Sequence, residues 1–156
     1  MRKQGIEGLL IDIDNTLVAW DADDPHVDVR NWVKKAQNMG FQVVLVTNNK
    51  LARLESMKTL LFITHGYSRA QKPSTRILKK AMRIMDLNRN QTAIIGDQIF
   101  TDVLGGNRLG LFTVLVTPVK SKEFWWTTGV RHFEKRVLRR MEKFVETSDI
   151  PDMPEE

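Results

Sequence analysis

The stretch Leu9-Leu10-Ile11-Asp12-Ile13-Asp14-Asn15-Thr16-Leu17 passes from branched apolar residues directly into two carboxylates and two small polar side chains. An apolar run as short as Leu9–Ile13 reads as a buried strand, and its polar exit then lies at the strand's carboxyl end. Comparable runs recur at Phe41–Val46, Thr92–Ile95 and Leu111–Val116, and a weaker one at Leu61–Thr64 is expected at the sheet edge. Helical spacing fills the intervals: Val29–Met39 ending at Gly40, Leu51–Leu60, Ser74–Asp86 opened by Pro73, and Thr101–Leu109 ending at Gly110. Strand and helix alternate throughout. The expected fold class is therefore α/β, a mostly parallel five-stranded sheet with helices on both faces, which binds ligands where loops leave the carboxyl ends of the strands.

The 156 residues suit one domain, expected over residues 1–145, followed by a flexible acidic tail over residues 146–156 that carries two prolines. Cysteine is absent, which excludes disulfides, thiol nucleophiles and thiolate metal sites. Met1-Arg2-Lys3 precedes an apolar run too short for a signal peptide, and no apolar stretch approaches the roughly 20 residues of a membrane span. A cytoplasmic protein is expected. The formal charge of +5 favours anionic partners: phosphorylated metabolites, nucleic acid or acidic lipid surfaces.

Asp12 and Asp14 stand two apart at a strand exit, where two carboxylates repel unless a cation lies between them. Oxygen-only ligands point to Mg²⁺ rather than zinc or copper. Asp97 and Asp102 complete such a site from the loop after the fourth strand, freed by Gly96. Thr47 and Asn48, followed by the free N–H groups of a helix start, suit phosphate oxygens, and Lys72 adds a positive charge. The chemistry follows from charge. Asp12 attacks phosphorus only if the cation, Lys72 and N–H dipoles neutralise the repulsion, and Asp14 then serves the leaving oxygen as acid and the incoming water as base.

These residues resemble the haloacid dehalogenase (HAD) superfamily of phosphatases. Asp12-Ile13-Asp14-Asn15-Thr16-Leu17 matches its first motif, Thr47 the second, Lys72 the third, and Gly96-Asp97 with Asp102 the fourth, in order along Leu9 to Pro118. The resemblance implies a HAD-like Rossmannoid three-layer sandwich. It also implies Asp12 as nucleophile and metal ligand, Asp14 as acid/base binding the ion through its backbone carbonyl, and Asp97 as anchor of the ion with Asp102 in support. Residues 17–30 are too few for a cap domain and residues 48–71 leave room only for a helix and an edge strand, so an open site is expected. The longer run from Gly96 through Gly105-Gly106-Asn107-Arg108 resembles the capless YqeG family, subclass IIIA, which is similar to phosphatidylglycerophosphate phosphatases. That likeness implies a phosphate monoester on a lipid headgroup and a place in phospholipid biosynthesis.

Phe124-Trp125-Trp126 precedes a helical pattern in which Phe133, Val137, Met141, Phe144 and Val145 share a face among basic residues. Two readings stand: Trp125 and Trp126 meet an anionic membrane surface, the protein then being peripheral on the inner face, or the helix packs on its own sheet. Asn107 and Arg108 either hold the fourth loop or touch substrate, and Gly105-Gly106 marks close packing or a bend. Two other functions remain open: a phosphatase for a soluble sugar or nucleotide phosphate, its cleft roofed by a neighbour in an oligomer, and a nucleic-acid- or protein-binding module with a vestigial site.

Overall fold

The computed structural model describes residues 1–120. Five strands form one sheet in the order β3-β2-β1-β4-β5: β1 (Gly8–Ile11), β2 (Gln42–Val46), β3 (His65–Tyr67), β4 (Thr92–Gly96) and β5 (Phe112–Leu115). All four pairings are parallel; Leu9 stands level with Val43 on one side and Ala93 on the other. Four helices connect them: α1 (Val27–Asn38), α2 (Leu51–Leu61), α3 (Thr75–Ile84) and the short α4 (Leu104–Asn107).

The alternation of side chains along a strand divides the core in two. Leu9, Ile11, Val43, Leu45, Ala93 and Ile95 face one way and pack with Val33 and Ala36 of α1 and Leu54, Met57 and Leu61 of α2. Leu10, Val44, Val46 and Ile94 face the other way against Leu78 and Ala81 of α3 and Met85 just after it. Both faces of the central strands are thus covered, which is why their sequences read as continuous apolar runs rather than alternating ones.

Two expected elements move. The edge strand is not at Leu61–Thr64, because Leu61 still belongs to α2 and Phe62 closes that helix in the left-handed conformation (φ 54°). Leu61 and Ile63 are apolar because they seal the helix end into the core, and the strand begins only at His65. The helix expected over Thr101–Leu109 starts earlier, as a π-helical turn at Ile99–Val103 that runs into α4. The loop expected between Asp97 and Asp102 is therefore already helical from Ile99. Gly105 and Gly106 mark close packing: a Cβ on Gly106 would lie 2.5 Å from Ile94 Cγ2 and 2.7 Å from Thr113 Cγ2. α4 rests directly on β4 and β5.

No inserted domain interrupts either place where a cap was considered. Residues 15–26 form turns and one isolated bridge, and only α2 and β3 lie between β2 and Lys72. Trp125, Trp126, the basic amphipathic segment and the acidic tail lie outside the described residues.

Candidate active site

The chain leaves the central strand β1 to one side for β2 and returns on the other as β4, so the sheet's switch point lies between β1 and β4. Asp12 continues β1 there, its N–H donating to Ile95 O at 2.9 Å. Immediately after it the chain folds back: the N–H groups of Leu17 and Val18 both donate to Ile13 O, and Asn15 adopts φ 62°, which Asn tolerates better than most residues. Leu17 and Val18 are buried, so this tight loop is anchored in the core and aims Asp12 and Asp14.

Asp12, Asp97 and Asp102 each bring a carboxylate oxygen within 4.8 Å of the others. Asp102 is buried, its Oδ2 accepting from Gln98 N–H at 3.2 Å and Thr101 Oγ1 at 3.3 Å. It lies over Gly96, where any Cβ would overlap the Asp102 carboxyl. Gly96 ends β4 without a positive φ, so this glycine serves to give Asp102 its place rather than to free the backbone.

Lys72 projects into this cluster and is itself buried. Its Nζ stands 2.5 Å from Asp12 Oδ1, 2.6 Å from Asp102 Oδ1 and 2.8 Å from Val46 O. The Lys72 backbone is clamped by the Asn48 side chain: Lys72 N–H donates to Asn48 Oδ1 at 2.8 Å and Asn48 Nδ2 donates to Lys72 O at 3.2 Å. The Asn48 side chain is thus occupied in placing the lysine, and any contact of Asn48 with phosphate falls to its backbone N–H. Thr47 is buried between Asn49 N–H, which its Oγ1 accepts at 3.0 Å, and Asp14 Oδ2 at 3.4 Å.

Asp14 turns away from the three-carboxylate cluster. Its Oδ2 also accepts from Asn49 Nδ2 at 3.2 Å and its Oδ1 pairs with Arg53 Nε at 3.2 Å. Asn107 and Arg108 do not hydrogen-bond to the carboxylates. Arg108 Nη1 donates to Pro73 O at 3.2 Å, tying α4 to the residue after Lys72, and Asn107 Oδ1 faces Thr113 Oγ1 at 3.5 Å. Sequence reasoning assigned no role to Arg53 or to Thr16, whose Oγ1 lies 3.3 Å from both Asp12 Oδ2 and Asp97 Oδ1. Arg53 had left one signal: a cation in the first turn of a helix, where the macrodipole disfavours it.

Burial, reinforced by Asp102 and Asp97, raises the Asp12 pKa to about 7 although Lys72 opposes the shift. Burial and then Asp102 raise Asp97 to about 6. For Lys72, burial works to lower the pKa, and the charges of Asp12 and Asp102 outweigh it, so the net shift is upward. Three carboxylates around one ammonium are short of positive charge. The spacing suits a divalent ion, since ligands at about 2.1 Å around an octahedral centre lie roughly 3–4 Å from one another.

Comparison with known proteins follows the same line. Residues 69–123 match the family model described as HAD-hydrolase-like. Fold and carboxylate cluster agree with it, and the class is that of the HAD-type phosphoric monoester hydrolases, which use divalent metal ions. Over 143 residues the chain is 35% identical to "Probable phosphatase YqeG" of Bacillus subtilis (strain 168), covering 92% of this chain and 83% of that protein. The chain belongs to the YqeG family of HAD phosphatases. It is also 25% identical over 158 residues to "Phosphatidylglycerophosphate phosphatase 1, chloroplastic/mitochondrial" of Arabidopsis thaliana, covering 90% of this chain and 43% of that one. Among solved structures, the cobalt-bound deoxy-D-mannose-octulosonate 8-phosphate phosphatase of Haemophilus influenzae shares the fold. It superposes with a TM-score of 0.54 at 20% identity, covering 62% of this chain and 61% of that one.

Proposed function

We propose that this protein is a Mg²⁺-dependent phosphatase that carries the phosphoryl group on Asp12 and acts on phosphatidylglycerophosphate at an anionic membrane surface. The observation that carries the reading is the buried Lys72 ammonium set between Asp12 and Asp102 at the sheet's switch point. It fixes one oxygen of Asp12, so the carboxylate cannot rotate, and it offers positive charge to a phosphate drawn up beside it. Asp12, Asp97 and Asp102 would hold the ion through side chains and Asp14 through its backbone carbonyl. The all-oxygen donor set favours Mg²⁺. When bound, the ion neutralises the carboxylates against the incoming phosphate.

Asp12 forms a bond to phosphorus as the bond to the leaving oxygen breaks, and Asp14 gives that oxygen its proton. Water then attacks the aspartyl-phosphate with Asp14 taking a proton from it, which frees phosphate and restores Asp12. Backbone N–H groups at the start of α2, with Thr47 and Lys72, receive the phosphate oxygens.

Three observations support the lipid substrate: the likeness to the plant phosphatidylglycerophosphate phosphatase, the absence of a cap over the cluster among the described residues, and the basic face of α3. That helix starts three residues after Lys72, exposes Arg76, Lys79, Lys80 and Arg83, and holds no acidic residue. Each such cation near an anionic surface contributes about 1 kcal/mol. No helix among the described residues is long and apolar enough to cross a membrane, and the contact proposed is a peripheral one. Trp125 and Trp126 would add to that contact.

The test is Mg²⁺-dependent phosphate release from phosphatidylglycerophosphate in mixed micelles beside a panel of soluble sugar and nucleotide phosphates. Fast release from the lipid alone is expected. Release only from soluble esters would remove the lipid and leave the Asp12 chemistry. Salt-sensitive nucleic-acid binding without hydrolysis would favour a binding module.

A further inference from the structure

Arg53 sits in the first turn of α2, nearly buried, with a side-chain exposure of 13%. A guanidinium is costly to bury and sits badly at a helix N-terminus, so its placement calls for specific partners. It has them on three of its nitrogens. Nε reaches Asp14 Oδ1 at 3.2 Å, Nη1 donates to Ala22 O at 2.6 Å, and Nη2 donates to Ala19 O at 3.1 Å. Asp23 Oδ1 lies a further 3.5 Å from Nη1. One planar fork therefore joins the Asp14 carboxylate to the far end of the loop that Asp14 opens.

We infer that Arg53 is the positioning residue for Asp14, fixing the direction from which its carboxylate meets the leaving group. Two features separate this role from substrate binding. The bonds to Ala19 O and Ala22 O commit both terminal nitrogens to the protein's own backbone, and the side chain lies beneath the loop rather than on the surface. Asn49 Nδ2 and Thr47 Oγ1 hold the other oxygen of Asp14, so the acid is gripped on both sides by the segment following β2. Lysine would meet Asp14 or one carbonyl, since only a rigid fork spans all three. The inference rests on the phosphatase reading and names a residue it did not include.

The experiment compares wild type, Arg53→Met, Asp14→Asn and the double variant on two soluble substrates with Mg²⁺. One is para-nitrophenyl phosphate, whose leaving group needs little protonation, and the other is a simple alkyl phosphate, whose leaving group needs it fully. Arg53→Met is expected to lower kcat on the alkyl ester by about 10–100-fold, a part of the roughly 10²–10⁴-fold that a general acid contributes, because the acid is displaced rather than removed. The loss on the nitrophenyl ester should be several-fold smaller, with KM nearly unchanged on both. In the Asp14→Asn background the same substitution should cost almost nothing more. Equal losses on the two esters, a raised KM with kcat intact, or full additivity with Asp14→Asn would overturn the inference. If Arg53→Met does not fold, Arg53→Lys keeps the charge and bulk and carries the same comparison. A wild type that hydrolyses neither these esters nor a lipid phosphate refutes the phosphatase reading itself, and the role of Arg53 with it.

Discussion

Replacing Lys72 with Met keeps the length of the buried stem and removes the ammonium in contact with Asp12 and Asp102. The ammonium lies 2.5 and 2.6 Å from two carboxylates that are themselves buried, and Asp97 shares the cluster. Removing one partner from a buried ionic group costs about 3–5 kcal/mol, because charge is left without compensation. For a chain of this size that corresponds to a fall in Tm of roughly 10–15 °C. The loss should depend on pH in a direction the site dictates. With pKa values of about 7 for Asp12 and about 6 for Asp97, both carboxylates are ionised above pH 7 and protonated well below pH 6. Lys72→Met should therefore suffer most on the alkaline side and least on the acid side. Thermal unfolding of the metal-free proteins, followed by circular dichroism on either side of that window, measures this. A loss under about 1 kcal/mol above pH 7, or the same loss at both pH values, would refute the assignment of Lys72 as the cluster's internal counter-charge.

Asp12→Asn should abolish phosphate release while leaving the metal-free fold as stable as wild type or more so above pH 7, a combination that kinetics and melting curves together establish. The sign follows from linkage: between its ordinary pKa of 3.8 and about 7 the folded state binds the Asp12 proton and the unfolded state does not, so this group's contribution to stability declines as pH rises through that interval. By the same proton balance, calorimetry should find Mg²⁺ binding weaker below about pH 6 and accompanied by proton release. Gly96→Ala forces its Cβ into the Asp102 carboxyl, and denaturation should register a loss of about 1–3 kcal/mol together with weakened Mg²⁺ binding. Phe62, 87% exposed at φ 54°, contributes little packing where it closes α2, and Phe62→Gly should raise stability by about 1 kcal/mol in urea unfolding with activity unchanged.

The central strands were legible because their burial on both faces wrote continuous apolar runs into the sequence, and the polar residues at their exits marked the switch point. The short strand His65–Tyr67 was not legible. Its residues are half-exposed and unremarkable, while the apolar residues just before it belong to a helix end. The carboxylates and Lys72 announced themselves by type and by position after strands. Arg53 did not, and Asn48 was read for phosphate rather than for its clamp on Lys72, since both make bonds across the chain to backbone groups, and a carbonyl that receives a hydrogen bond leaves no trace in residue identity. Thr16 was visible as part of a motif, but its bridging position between Asp12 and Asp97 depends on residues 81 positions apart.

The clamp of Asn48 on Lys72 bears on how the chain tolerates change. Its two hydrogen bonds close an excursion of 24 residues at the base, as a neighbouring strand would, so the lysine's place is set where the excursion begins and ends rather than by its contents. Lengthening a closed loop adds only slowly to its entropic cost, roughly 0.6 kcal/mol per doubling. The exposed turn at Phe62, which precedes β3 at the amino ends of the parallel strands, is thus a natural port for grafting: a peptide or a small domain inserted there would enlarge the protein at the edge of the sheet away from its cleft while the lysine stayed in register with Asp12.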